Sequence, residues 1–588
     1  MRAFWAAAAI AATTITAAPA AAQTTRDYFV AHATGHGAPR QLDPETQAYY
    51  RQVFAAIDRK DWTGAETLLL QRGDGPLHPV ARAELYLAAG SPRVELPQIE
   101  AWMARGRNLP HASRLARLAV TRGATQTPSL PREQQFYPRS GLPKRVHPAS
   151  IDDGTMPNEI RQQILERISN DDPDGARLLL DGIDGSLSPE ARAEWRRRVA
   201  WSYYIENQDA QALALAQTVA AGSGPWVAEG DWTAGLAAWR LGDYGLALAS
   251  FERAARGAQN SELRGAAYYW ASRAALRNRH PEKSAELLRG ASANDETLYG
   301  MLASEQLGKA LPDRVETAAF TDADWRRLQG EDNVRAAIAL AEIGRDVLAS
   351  EVLIHQAKIG NPADYAPITR LARDLGLPQT QLYLAYNAPS GANPDPASRY
   401  PTPKWSPANG WQVDPALAYA HILQESNFRA AAVSPAEAKG LMQITPITVR
   451  EHAPRLNMSA SAVDIFDPPT NLAFGQQNLQ MLRDSAGTQG QLPKIMAAYN
   501  AGLTPITRWN YEVRDQGDPL LYMESIPYWE TRSYVAIVMR NYWMYERQAR
   551  ALSASRLSLA QNAWPGFPDG RGSTIPAGGR VYLSAGAD

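Results

Sequence analysis

The chain has 588 residues, with 60 Lys and Arg against 61 Asp and Glu, and no cysteine. It is too long for one hydrophobic core, and its near-neutral charge gives no broad surface for a polyanion. Without cysteine there are no disulfides, thiolate zinc sites, cysteine nucleophiles or lipid-modified N-terminal Cys.

Residues 1–22 begin Met1-Arg2, run without charge to Ala22 and end in Ala20-Ala21-Ala22. A positive start, a weakly apolar middle and small residues before a cleavage point are the parts of a secretory signal peptide. The sequence therefore predicts export to the periplasm, cleavage near Ala22 and no stable membrane anchor. From about 43 to 386, helical periodicity recurs with almost no strand alternation. In 230–257, Trp232, Leu236 and Trp239 share one helical face. Gly242-Asp243 make a turn, and Tyr244, Ala247, Phe251 and Ala254 line the next helix. Weaker relatives of this hairpin lie in 201–221, 266–291 and 334–357. Alternating small and aromatic residues let antiparallel helices pack closely, as in tetratricopeptide repeats. The expectation is an all-α superhelix over 23–395, with most of its Trp in packing. Residues 387–410 hold six Pro and two Gly in 24 positions, which marks a linker. A compact helical domain over 400–550 and a Gly/Pro-rich tail over 551–588, either mobile or a packed strap, complete the organisation.

The chemistry gathers after residue 411. Asp414-Pro415 reads as a capped helix start, with Ala416, Leu417, Ala420 and Leu423 on one face and Glu425 at the end. A carboxylate at a helix C-terminus among apolar neighbours has its pKa raised, as a general acid near neutral pH requires. That signal alone is weak, because most such Glu residues are solvated. Four blocks follow in order: Ser434 to Pro446 with Gly440-Leu-Met-Gln443, Asp467 to Gly475, Ala497-Ala-Tyr499-Asn500-Ala501-Gly502, and Glu524 to Val535. In order and spacing they resemble the catalytic domain of the soluble lytic murein transglycosylases, a lysozyme-like fold. Upstream, Tyr269-Trp270, Leu298-Tyr299-Gly300 and Tyr400-Pro401 resemble the superhelical part of the large enzymes of that family.

The resemblance implies Glu425 as the single catalytic acid and base. It implies Ser434, Gln443, Tyr499, Asn500 and Glu524 as groups that bind the glycan, and cleavage between N-acetylmuramic acid and N-acetylglucosamine to a 1,6-anhydro end. Each has a structural alternative: Met442 as core, Asn471 as a loop brace, and Tyr499 as a buried tyrosine bonded to backbone. Two departures from the family pattern stand out, Leu423 where Arg is usual and Glu437 where Gly is usual. The expected partners are peptidoglycan strands and, through the superhelix, wall-synthesis or secretion proteins, with no nucleic acid. No metal or cofactor motif occurs among the nine His residues. The competing readings are a hydrolytic muramidase, with Asp464, Asp467 or Glu437 as second carboxylate, and a non-enzymatic wall-binding scaffold.

Overall fold

A computed structural model of the chain describes residues 23–34, 37–309 and 319–575. The expected leader and residues 576–588 of the tail lie outside them. Within them the protein is all-α: 28 helices, with strands confined to one short antiparallel pair.

The hairpin read in the sequence is helices Trp226–Leu241 and Tyr244–Gly257. Gly242 turns the chain at φ 81°, a left-handed conformation that glycine adopts without strain. Asp243 then caps the second helix, its carboxylate accepting from the Leu246 N–H at 2.9 Å. The helices approach closely because Gly235 has no side chain: a Cβ there would lie 2.5 Å from the Phe251 ring. Trp232 and Trp239 meet Trp270 of helix Ser261–Arg277 edge-on, with centroids 6.4 and 5.1 Å apart. All three indoles are buried, so they serve helix packing and not sugar stacking.

The helices sort into two apolar cores. One joins buried residues of 42–119 to those of 320–388, so the first helices of the region return to meet the last. The Gln41 N–H donates to Glu342 at 2.7 Å and Asn333 donates to the Asn108 carbonyl at 2.7 Å across this junction. The other core joins 156–307 to 400–559. There the C-terminal body sits on the middle of the superhelix through Tyr204 and Ser525 hydroxyls at 2.9 Å, Arg514 and Asp209 at 3.1 Å, and Arg556 and Glu305 at 2.9 Å.

Three details add to the sequence reading. The Pro-rich stretch contributes a strand, Asn387–Pro389, paired with Phe136–Pro138. A two-stranded ribbon has only edges, which is where proline is tolerated. Helix Thr25–Thr34, expected in the superhelix, packs on helix Pro415–Glu425, with Phe29 edge-on to Tyr419 at 5.4 Å. Residues 551–575, the described part of the tail, form a packed strap. They include helix Ala554–Ala560, and the Ile575 N–H bonds the Gln23 carbonyl at 2.7 Å.

The strap, helix Thr25–Thr34 and helix Pro415–Glu425 converge on Asp414. Its buried carboxyl accepts from Thr25 and Tyr542 hydroxyls, each at 2.8 Å, and from the Ala416 N–H at 3.0 Å. Asp414→Ala should destabilise the protein by about 2–4 kcal/mol, from a lost cap and a stranded Tyr542 hydroxyl. Burial lifts the Asp414 pKa from 3.8 to about 6. Because the folded value lies above the unfolded one, its contribution to stability is full below about pH 4 and is lost as pH rises through about 6. Asp414→Asn should flatten that part of the pH dependence of Tm; an unchanged profile would refute the assignment.

Candidate active site

Helix Pro415–Glu425 is buried from Pro415 through Leu423, and only its last turn reaches the surface. The chain then breaks sharply, because Asn427 and Phe428 both take left-handed conformations, at φ 50° and 61°. Two consecutive non-glycine residues there are strained, and the buried Phe428 ring is what anchors the turn. Glu425 is thereby left as the half-buried end of an apolar helix.

Its carboxyl accepts a hydrogen bond from the Tyr534 hydroxyl, 2.6 Å from Oε1. Tyr534 stands on helix Trp529–Gln548, so the contact ties the second core helix to the first. Burial pushes the Glu425 pKa from 4.5 to about 7; the Tyr534 bond opposes this and the negative charge of Glu530 adds to it. Glu425 thus holds a proton near neutral pH and can also release it. Behind Tyr534, His421 Nδ1 lies 2.9 Å from the same hydroxyl oxygen. The His421 ring is fully buried and burial depresses its pKa to about 3, so it is neutral.

The Tyr499 ring lies 4.6 Å from His421 and its hydroxyl donates to the Met442 carbonyl at 2.8 Å. Its pKa is driven well above 10, by burial and then by the Glu425 charge. Tyr499 is therefore both a neighbour of Glu425 and a brace on the Gly440 loop. That loop is held from three sides. Asn471 accepts from the Met442 N–H at 2.8 Å and donates to the Lys439 and Ile465 carbonyls at 3.0 and 2.9 Å, which is the brace role. Gly440, at φ 76°, must lack a Cβ, since one would sit 2.2 Å from the Asn471 amide. Gln443 donates to the Gly440 carbonyl at 2.8 Å, and Ser434 accepts from the Ala438 N–H at 3.1 Å. Asn500 accepts from Thr531 at 2.6 Å. Met442 is buried core.

Glu524 stands apart from these. It is buried against the superhelix, accepting from the Tyr299 hydroxyl at 2.8 Å and pairing with Arg145 at 3.4 Å. Its carboxylate lies at the junction between the superhelix and the C-terminal body. The two departures from the family pattern also find their places. Leu423 is in the apolar core. Glu437 takes a left-handed turn at φ 60° despite its side chain, at a strain of roughly 1–2 kcal/mol, and its side chain is exposed.

Asp467 caps helix Pro468–Asp484, accepting from Thr470 N–H and hydroxyl at 3.0 and 2.7 Å. Asp464 accepts from the Phe466 N–H at 3.0 Å. Both act as local braces. Sequence reasoning assigned no role to Tyr534, His421 or Glu530, although Tyr534 and Glu530 lie inside the fourth block and His421 lies four residues before Glu425. That i, i+4 spacing is the one signal that would have found His421. Glu530→Gln should lower the Glu425 pKa and Tyr534→Phe should raise it. Carboxyl titration by isotope-edited infrared or NMR spectroscopy reads both, and shifts of the same sign would exclude this electrostatic account.

Residues 405–521 match the family model of the transglycosylase SLT domain. Over 133 residues the chain is 32% identical to the soluble lytic murein transglycosylase of Escherichia coli K12, which is 22% of this chain and 20% of that protein. Over 267 residues it is 28% identical to the putative soluble lytic murein transglycosylase of Haemophilus influenzae, 44% of this chain and 43% of that one. The alignments thus span from a fifth to under half of these relatives' length. The fold match is longer. The crystal structure of the 70 kDa soluble lytic transglycosylase of E. coli superimposes with a TM-score of 0.52 at 15% identity, covering 89% of this chain and 99% of that one. A structure of the 70 kDa soluble lytic transglycosylase with bulgecin A gives 0.58 at 17% identity, covering 90% and 100%. Residues 405–521 thus match the SLT domain, and the architecture as a whole is similar to that of the 70 kDa soluble lytic transglycosylases.

Proposed function

We propose that the protein is a peptidoglycan lytic transglycosylase that cleaves the β-1,4 bond between N-acetylmuramic acid and N-acetylglucosamine without water. The observation that carries this reading is Glu425: a half-buried carboxyl, held near pKa 7, with a tyrosine donor on one oxygen. The exported location follows from the wall substrate and from the signal-like sequence of 1–22. Among the described residues no helix is long and apolar enough to cross a membrane.

In the first step Glu425 gives its proton to the bridging oxygen as the bond from C1 of the muramic acid breaks. The 2-acetamido carbonyl supports the cationic C1, which is the substrate-assisted alternative to a protein nucleophile. In the second step the 6-hydroxyl oxygen of the same sugar closes onto C1 and its proton passes to Glu425. The acid is regenerated, and the product is a 1,6-anhydromuramoyl end with no water consumed. Because the second nucleophile belongs to the sugar already bound, proximity favours it over water. Of the three carboxylates that a hydrolysis could use, Asp464 and Asp467 accept from backbone N–H groups and Glu437 is exposed, so the products distinguish the two reactions. Tyr499, Ser434 and Gln443 would shape the glycan site by fixing the Gly440 loop, and Asn500 by its bond to Thr531.

Glu425→Gln should abolish release of fragments from isolated sacculi while sedimentation with them persists. Mass spectrometry of wild-type digests should show anhydro ends, each lighter by one water than a reducing end. Reducing ends alone would replace the proposal by a muramidase; undiminished release by Glu425→Gln would remove the carboxyl from the mechanism. Activity that needs the acid form should fall as pH rises through about 7.

A further inference from the structure

The Tyr534 hydroxyl has a single proton and two close neighbours that could take it. Glu425 Oε1 lies 2.6 Å away and His421 Nδ1 lies 2.9 Å away. One proton cannot serve both, so one of the two contacts must run in the opposite direction, with Tyr534 as acceptor. His421 decides which. Its ring is fully buried and Nε2 has no hydrogen-bond partner. A proton on Nε2 would be an orphaned N–H donor in an apolar site, an arrangement folded proteins rarely keep. A proton on Nδ1 has an acceptor waiting in the Tyr534 oxygen, and the hydrogen bond at one ring nitrogen sets the tautomer.

We propose that His421 is a positioning residue for the reaction: it donates from Nδ1 to Tyr534, commits the tyrosine proton to Glu425 Oε1, and so leaves Oε2 as the oxygen that carries and delivers the acidic proton. This rests on the reading of Glu425 as the acid. The order is His421 Nδ1–H to Tyr534 oxygen, then Tyr534 O–H to Oε1. With Oε1 already accepting, a proton on Oε1 would face the tyrosine's own hydrogen. Protonated Glu425 therefore bears its hydrogen on Oε2, and in the carboxylate form Oε2 is the lone pair free to take a proton back. The donor behind Tyr534 also polarises its O–H and strengthens the bond to the carboxylate.

The charged and titratable groups around this chain are few. Helix Trp529–Gln548 brings Tyr534 and Glu530, helix Leu492–Ala501 brings Tyr499, and helix Thr25–Thr34 brings the apolar Phe29 to Tyr419 further up the Glu425 helix. The Tyr499 hydroxyl is committed to the Met442 carbonyl and does not compete for His421. His421 feels burial and no neighbouring charge, which keeps it a neutral donor through the working pH range.

The test uses the full chain with 15N-labelled histidine, the His421 signals being assigned by their loss in His421→Asn. At pH 7 the expected result is the Nδ1–H tautomer; an Nε2–H tautomer or an imidazolium overturns the proposal. In kinetics, His421→Leu should lower kcat by about 10-fold with KM unchanged, less than the roughly 10²–10⁴-fold carried by an acid–base group itself. The descending limb of its pH–rate profile should move to higher pH, because the carboxylate loses support. His421→Asn, which keeps a donor near the Nδ1 position, should recover most of the rate. In a Tyr534→Phe background His421→Leu should cost nothing more, and an additive loss overturns the relay. Should His421→Leu not fold, Tyr534→Phe decides alone: it should shift the His421 tautomer, and an unmoved signal overturns the proposal. An Nε2–H tautomer with Glu425 still essential refutes only the role of His421, whereas full activity of Glu425→Gln refutes the acid itself.

Discussion

Much of this structure serves to keep one carboxyl partly out of water. Glu425 ends a helix whose preceding residues are buried, and a carboxylate there is disfavoured by lost solvation before any specific contact acts. The single hydroxyl bonded to it, from Tyr534, limits the shift so that the proton is held near neutrality and not permanently. Remove the burial and Glu425 is an ordinary ionised surface residue; remove the tyrosine and the proton is harder to release. Acid and base duty by the same group needs both.

That balance depends on two helices distant in sequence being held in register. Helix Pro415–Glu425 and helix Trp529–Gln548 meet in the C-terminal core, and Asp414 fixes the start of the first by bonding Tyr542 of the second. The N-terminal segment and the C-terminal strap close over the same point, through Thr25 on Asp414 and the Ile575 N–H on Gln23. Residues at the two ends of the described chain are thus part of the support of the helix that ends in Glu425. Glu524 shows a related economy: it braces the C-terminal body against Tyr299 and Arg145 of the superhelical region, tying the site's fourth block to the larger scaffold.

The superhelix was legible because its signals are local. A helix pair with small residues facing aromatics, a glycine at the turn and an aspartate after it can be read from 230–257, and the structure has each where the pattern puts it. The ribbon at 387–389 and the partners of the strap were not, because proline and glycine content reports the absence of regular periodicity and is silent on what the segment packs against. The motif that singles out Glu524 says which residues recur together, and only the structure shows its bonds to Tyr299 and Arg145.

By itself the sequence pointed to a helical protein with an SLT-like region and, through the resemblance of its four ordered blocks, to Glu425 as the candidate acid. It also indicated that the solenoid is helical, which follows from side-chain periodicity, whereas the packing role of Trp232, Trp239 and Trp270 rests on their burial in the structure. Only the tertiary structure decided what surrounds the carboxyl. Tyr534 lies 109 residues away in sequence, and the direction of its proton depends on a buried imidazole whose other nitrogen has no partner. Burial and hydrogen-bond direction are properties of neighbours in space. No local pattern encodes them, and here they set how one glutamate can both give and take a proton.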